Sequence, residues 1–157
     1  MKSVRLALAC LFLISPLAHA SEVADTTEIP MLAVSLVGSP YRFGGASPET
    51  GFDCSGLVNY VFGQAAGLRL PRESLAISQM AHTIEPQHLQ SGDLVFFNTL
   101  DRAFSHVGIY LGDDRFVHAS SSRSGQVMVS NMATDYWRSR FDGARRLPVS
   151  SPIESGE

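Results

Sequence analysis

The sequence predicts a single α+β domain, with helices first and an antiparallel meander second. Three observations carry that expectation. The chain has 157 residues, 45% hydrophobic and 17% charged, which suits one globular unit. Between residues 54 and 66 the apolar side chains recur at helical spacing. After Pro86 the period shortens, and runs rich in Val, Ile, Phe and Tyr alternate with turn residues.

Residues 1–20 stand outside this fold. Lys2 and Arg5 precede an apolar run from Leu6 to Ile14, and Ala18-His19-Ala20 puts small residues at the two positions a signal peptidase reads. The layout is that of a secretory signal peptide cleaved after Ala20, which predicts a periplasmic or secreted protein. Cys10 offers a rival, lipid attachment at the outer membrane. The apolar run continues past Cys10 instead of ending there, so plain export is the preferred reading. Cleavage removes two cations and no anion, taking the net charge from −3 to −5 and leaving arginine as the sole cation type. Cys54 becomes the only thiol of an exported protein, where an idle cysteine is a liability.

Residues 21–28 read as a flexible lead-in. A short helix is expected over 29–37, ended by Gly38 and Pro40. The glycines and proline of 41–52 predict loop. Within 54–66, Leu57, Val58, Val61, Phe62 and Ala65 share one helical face, Asp53 is placed to cap the helix and Gly67 to end it. A second helix follows over 74–81, broken by Glu85-Pro86. Strands are expected over 93–98, 106–111, 115–119, 127–130 and 141–147, with a short helix over 134–139. The Ser/Pro-rich 148–157 predicts a disordered tail, so the domain spans 29–147. The charge balance speaks against a uniform polyanion-binding face, and no nucleic-acid partner is expected. No apolar run reaches the roughly 20 residues of a bilayer-spanning helix, so no stable membrane insertion is expected.

Cys54 falls at the first turn of its helix, where free backbone N–H groups and the positive dipole end favour thiolate over thiol. Its pKa is therefore expected to fall. The same N–H groups suit an oxyanion, and Gly56 is expected to leave room for a substrate backbone. Ser55 lacks the G-x-S-x-G elbow and reads as a first-turn residue whose hydroxyl helps bind substrate. A lone cysteine is more often structural, and the histidines shift that balance.

His106 and His118 flank Gly112-Asp113-Asp114, a hairpin turn by composition. A three-residue loop centred on Asp113 opposes Ile109 to Val117. The two histidines then lie diagonally on one face, while Val107, Ile109, Leu111, Val117 and Ala119 share the other. This arrangement suits a relay in which one imidazole takes the thiol proton and the second orients the first. A zinc site would use the same three side chains, but no C-x-x-C or H-x-x-x-H pair accompanies them, and neither metal nor cofactor is expected. His82 and His88 read as surface residues.

Several longer motifs stand in order: Gly38-Ser39-Pro40-Tyr41-Arg42-Phe43-Gly44-Gly45, Gly51-Phe52-Asp53-Cys54-Ser55-Gly56-Leu57-Val58, Leu70-Pro71-Arg72, Ser91-Gly92-Asp93-Leu94-Val95-Phe96-Phe97, Ser105-His106-Val107-Gly108-Ile109-Tyr110 and Phe116-Val117-His118-Ala119-Ser120. From about Ile29 to Leu147 the chain resembles the NlpC-type cysteine peptidases of the bacterial cell wall. The resemblance implies a papain-like α+β fold, its nucleophile helix packed on an antiparallel sheet of five to six strands. It implies Cys54 as nucleophile, His106 as base and His118 as orienting residue. It implies hydrolysis of a stem-peptide amide in peptidoglycan, either the D-glutamyl–diamino acid bond or the D-alanyl–diamino acid crosslink. It also implies Tyr41 near the oxyanion, with Asp53, Ser55 and Arg72 contacting substrate or bracing the cleft. A wall-binding module without catalysis, and acyl transfer or amide hydrolysis on the same fold, are the rival functions. Stem peptides carry carboxylates, which suits an arginine-only cation set. Arg42 and Arg72 are expected at the cleft, Arg145 and Arg146 at the surface. The sequence identifies no protein regulator.

Overall fold

The computed structural model describes residues 27–121 and 125–149. The proposed leader, Cys10 and nearly all of the lead-in and tail lie outside these residues. Four helices are described: α1 (Glu28–Ser35), α2 (Cys54–Ala66), α3 (Ser74–Met80) and α4 (Asp135–Arg138). The strands are β1 (Ala46–Ser47), β2 (Gly51–Phe52), β3 (His82–Ile84), β4 (Leu94–Phe97), β5 (His106–Gly112), β6 (Arg115–Ala119), β7 (Val127–Asn131) and β8 (Phe141–Arg146).

The expected α+β architecture is present. Six strands form one antiparallel sheet in the order β3-β8-β4-β5-β6-β7. β4 to β7 make the predicted meander. The last strand, β8, lies between β3 and β4, a placement that local patterning does not reveal. β3 itself falls in residues read as a connection, because its edge position leaves His82 and Thr83 exposed and removes the apolar alternation of a half-buried strand. β1 and β2 pair as a two-residue ribbon inside the glycine-rich loop.

α1 ends two residues before the expected position. Leu36 and Val37 donate to carbonyls three residues back, so the last turn tightens ahead of Gly38. α2 begins and ends as its caps dictate. The Asp53 side chain accepts from the Gly56 amide at 2.6 Å, and Gly67 takes a left-handed φ of 64°.

The sheet separates two apolar layers. On one face Leu57, Val58, Val61 and Phe62 of α2 pack with Ile29, Ala33, Val107, Ile109, Val117 and Ala119. On the other, Val95, Phe97, Tyr110, Phe116 and Ala144 gather beneath Trp137 and Phe141. The β5–β6 hairpin differs from expectation at its tip. The turn has two residues, Asp113 and Asp114, both with positive φ, and a bulge lies between Tyr110 and Gly112. The extra residue in the bulge restores Ile109 opposite Val117, so the expected inner register survives a different turn.

Candidate active site

Cys54 opens α2 and is partly buried against the sheet. Its sulfur is within hydrogen-bond reach of the Val107 amide, next in the chain to His106, and of the Ser55 and Cys54 amides. The helix start thus presses the thiol onto the beginning of β5. The Gly56 amide donates to the Asp53 side chain and the Leu57 amide to the Asp53 carbonyl. Of the first-turn amides, those of Cys54 and Ser55 face the sulfur.

The expected fall in the Cys54 pKa is not found. Burial pushes the thiol up, the nearby Asp53 charge adds to that, and the amide hydrogen bonds only partly offset it. Burial also pushes His106 down to about 4. His118 falls to about 3, through burial first and the neighbouring His106 second. These directions leave the Cys54 thiol and both imidazoles uncharged at neutral pH.

The two histidines meet on one face of the hairpin. His106 Nε2 lies 2.9 Å from His118 Nδ1, with the rings nearly perpendicular at 85°. His106 Nδ1 is then the nitrogen left for the thiol proton. His118 is only 1% exposed, and its Nε2 lies 2.9 Å from the Ser130 hydroxyl on β7. Trp137 of α4 stacks on His106, with centroids 5.6 Å apart, and meets His118 edge-on at 4.9 Å. Neither Ser130 nor Trp137 was singled out by sequence reasoning. The sole tryptophan, in a polar stretch, was the available signal for Trp137. For Ser130 there was none before the β6–β7 register was known.

Tyr41 lies close enough to Cys54 and Asp53 that their charges add to the burial raising its phenol pKa. Asp53 ties three segments together. Its carboxylate accepts from the Gly44 amide, the Gly56 amide, the Ser55 hydroxyl and the Arg72 guanidinium. Ser55 is buried, and its single hydroxyl proton is shared between Asp53 and the nearer Arg72 carbonyl. These side chains bind one another and the loops around the thiol. Gly56 does not open space for substrate: a Cβ there would stand 2.0 Å from the Gly45 carbonyl, so its missing side chain admits the protein's own loop. Arg42 is exposed beside the site. Arg145 and Arg146 are not loose surface charges. Arg146 grips the buried Asp93 through both carboxylate oxygens, and Arg145 donates to the Ser78 carbonyl and lies over the Phe104 ring. His82 and His88 are exposed and take no part in the site. Among the described residues no group of three or more His, Cys, Asp or Glu is placed to hold a metal ion. No helix among them is long and apolar enough to cross a membrane.

Comparison with known proteins gives a consistent result. The model of the NlpC/P60 family matches residues 38–146. The chain is similar to the gamma-DL-glutamyl hydrolase of Bacillus subtilis (strain 168), 44% identical over 138 residues, covering 83% of this chain and 33% of that protein. It is also similar to the murein DD-endopeptidase MepH of Escherichia coli (strain K12), 41% identical over 135 residues, covering 83% and 49%. The chain thus spans between a third and a half of the length of these relatives. The solved structure of an NLP/P60-family protein from Staphylococcus aureus, described as similar to lipoprotein, matches with a TM-score of 0.69 at 37% identity, covering 78% of this chain and 41% of that one.

Proposed function

Because this chain belongs to the NlpC/P60 family, we propose that it is a peptidoglycan endopeptidase that hydrolyses a stem-peptide amide through Cys54. The observation that carries this reading is the thiol at the start of α2, held at the Val107 amide beside the coupled His106–His118 pair.

In the proposed reaction the Cys54 proton passes to His106 Nδ1 as the sulfur attacks the amide carbonyl. The tetrahedral oxyanion is stabilised by the Cys54 and Ser55 amides and by the Tyr41 hydroxyl. His106 returns the proton to the leaving amine, and a thioester remains on Cys54. Water, deprotonated by the same ring, attacks the thioester and releases the acid and the free thiol. His118 orients His106 and accepts its Nε2 hydrogen bond. Asp53, Ser55 and Arg72 brace the cleft walls around the thiol. The protein acts outside the cytoplasm, after signal-peptide cleavage near Ala20.

Two bonds are compatible with this reading: the D-glutamyl–diamino acid amide and the D-alanyl–diamino acid crosslink. One relative is named a gamma-DL-glutamyl hydrolase and the other a murein DD-endopeptidase, so both bonds stay in the proposal. Digestion of defined muropeptides with mass analysis of the products tests substrate class and bond together. A crosslinked dimer split into monomers identifies the crosslink as the target, and a released dipeptide from monomeric stems identifies the glutamyl bond. Binding to wall with no released peptide would overturn the hydrolase reading in favour of a wall-binding module.

A further inference from the structure

The imidazole pair does not end at His118. His106, His118 and Ser130 form a chain of diagonal neighbours across β5, β6 and β7, with twelve residues and 2.9 Å at each step. β6 pairs with β7 so that Phe116 opposes Ser130 and His118 opposes Met128, which sets the serine hydroxyl on the same face as the imidazole. His118 is 1% exposed, and its two nitrogens bond His106 and Ser130.

We propose that Ser130 is a positioning residue of the active site, holding His118 in the tautomer that keeps His106 Nδ1 free to accept the thiol proton. This inference rests on the hydrolase reading and deepens it. The proton count follows from requiring a lone pair on His106 Nδ1 for the thiol proton. A neutral His106 with a lone pair on Nδ1 carries its proton on Nε2 and donates it to His118 Nδ1. His118 then carries its own proton on Nε2 and donates it to Ser130 Oγ. The opposite arrangement, with Ser130 donating, puts a proton on His118 Nδ1 and forces the His106 proton onto Nδ1, where it blocks the base. In the proposed role Ser130 accepts at the far end, which holds the first arrangement. When His106 becomes an imidazolium, its Nε2–H bond to His118 is unchanged, so the relay needs no rearrangement during turnover.

The test is nitrogen-15 NMR of histidine-labelled full chain near neutral pH, paired with steady-state kinetics on a muropeptide. In the wild type both His106 and His118 carry their protons on Nε2. Ser130→Ala lowers kcat about tenfold, the rate equivalent of one neutral hydrogen bond, with KM within about twofold. It also populates the Nδ1–H form of His118. Ser130→Thr, which keeps the hydroxyl, restores both readouts. A wild-type His118 protonated on Nδ1 overturns the proposal without any variant. A Ser130→Ala protein with wild-type tautomer and kcat overturns it as well. Absence of hydrolysis by the wild type with the expected tautomers present refutes the hydrolase reading instead, so the two failures are distinct.

Discussion

Cys54 starts its cycle, on this account, as a thiol. Burial holds its proton on sulfur and keeps His106 neutral down to about pH 4, so the proton moves as the bond forms. A position at a helix start alone favours the opposite direction, because a sequence shows that free amides surround the first turn and not how deeply the sulfur is buried. The histidines were more legible. Their shared face follows from strand alternation and the apolar positions Val107, Ile109, Val117 and Ala119, which fix the register. The two rings have unequal parts, and variants should rank accordingly. His106→Ala removes the base and is expected to cost about a thousandfold in kcat/KM, whereas His118→Ala loosens the base and is expected to cost ten- to a hundredfold. Initial rates on one muropeptide check the order, and a larger loss for His118→Ala contradicts the roles assigned.

At the level of elements, α4 has a consequence for pH dependence. Trp137 covers both imidazoles, and burial is the first cause of their low pKa values. The acid limb of kcat/KM is therefore expected near pH 4 in the wild type. Trp137→Ala, which readmits water, moves that limb up towards 6.5, the value of an unburied imidazole. A pH–rate profile of the two proteins decides this, and coincident limbs contradict it. The short helix over 134–139 was readable from its pattern, but its fold-back onto His106 was not, because the Trp137–His106 contact joins residues far apart in the chain. α2 was readable almost to the residue: the Asp53 cap, the apolar face and Gly67 are local signals that tertiary packing reinforces. β3 left no such signal, since an exposed edge of three residues has nothing to alternate.

Across the whole molecule, the meander was legible and the order of the sheet was not. β4 to β7 pair in chain order, with β5 and β6 joined by a tight turn, while β8 enters between β3 and β4 through long-range pairing, where Arg146 also meets Asp93. Global stability should also register the buried imidazoles. Unfolded, both titrate near 6.5; folded, they titrate at about 4 and 3. Between those values the unfolded chain binds more protons, so their contribution is full above about pH 6.5 and is lost as pH falls through 4 to 3. Thermal melts from pH 7 to 3.5 should show Tm falling across that window, with a shallower fall in His118→Gln. Equal slopes contradict the burial assigned to His118. The central claim, that one sulfur atom carries the hydrolysis, is tested most directly by assaying peptide release from purified sacculi with wild type and Cys54→Ala side by side. Release by the wild type and none by the variant is expected, with both proteins folded by circular dichroism. Release by Cys54→Ala at the wild-type rate contradicts it.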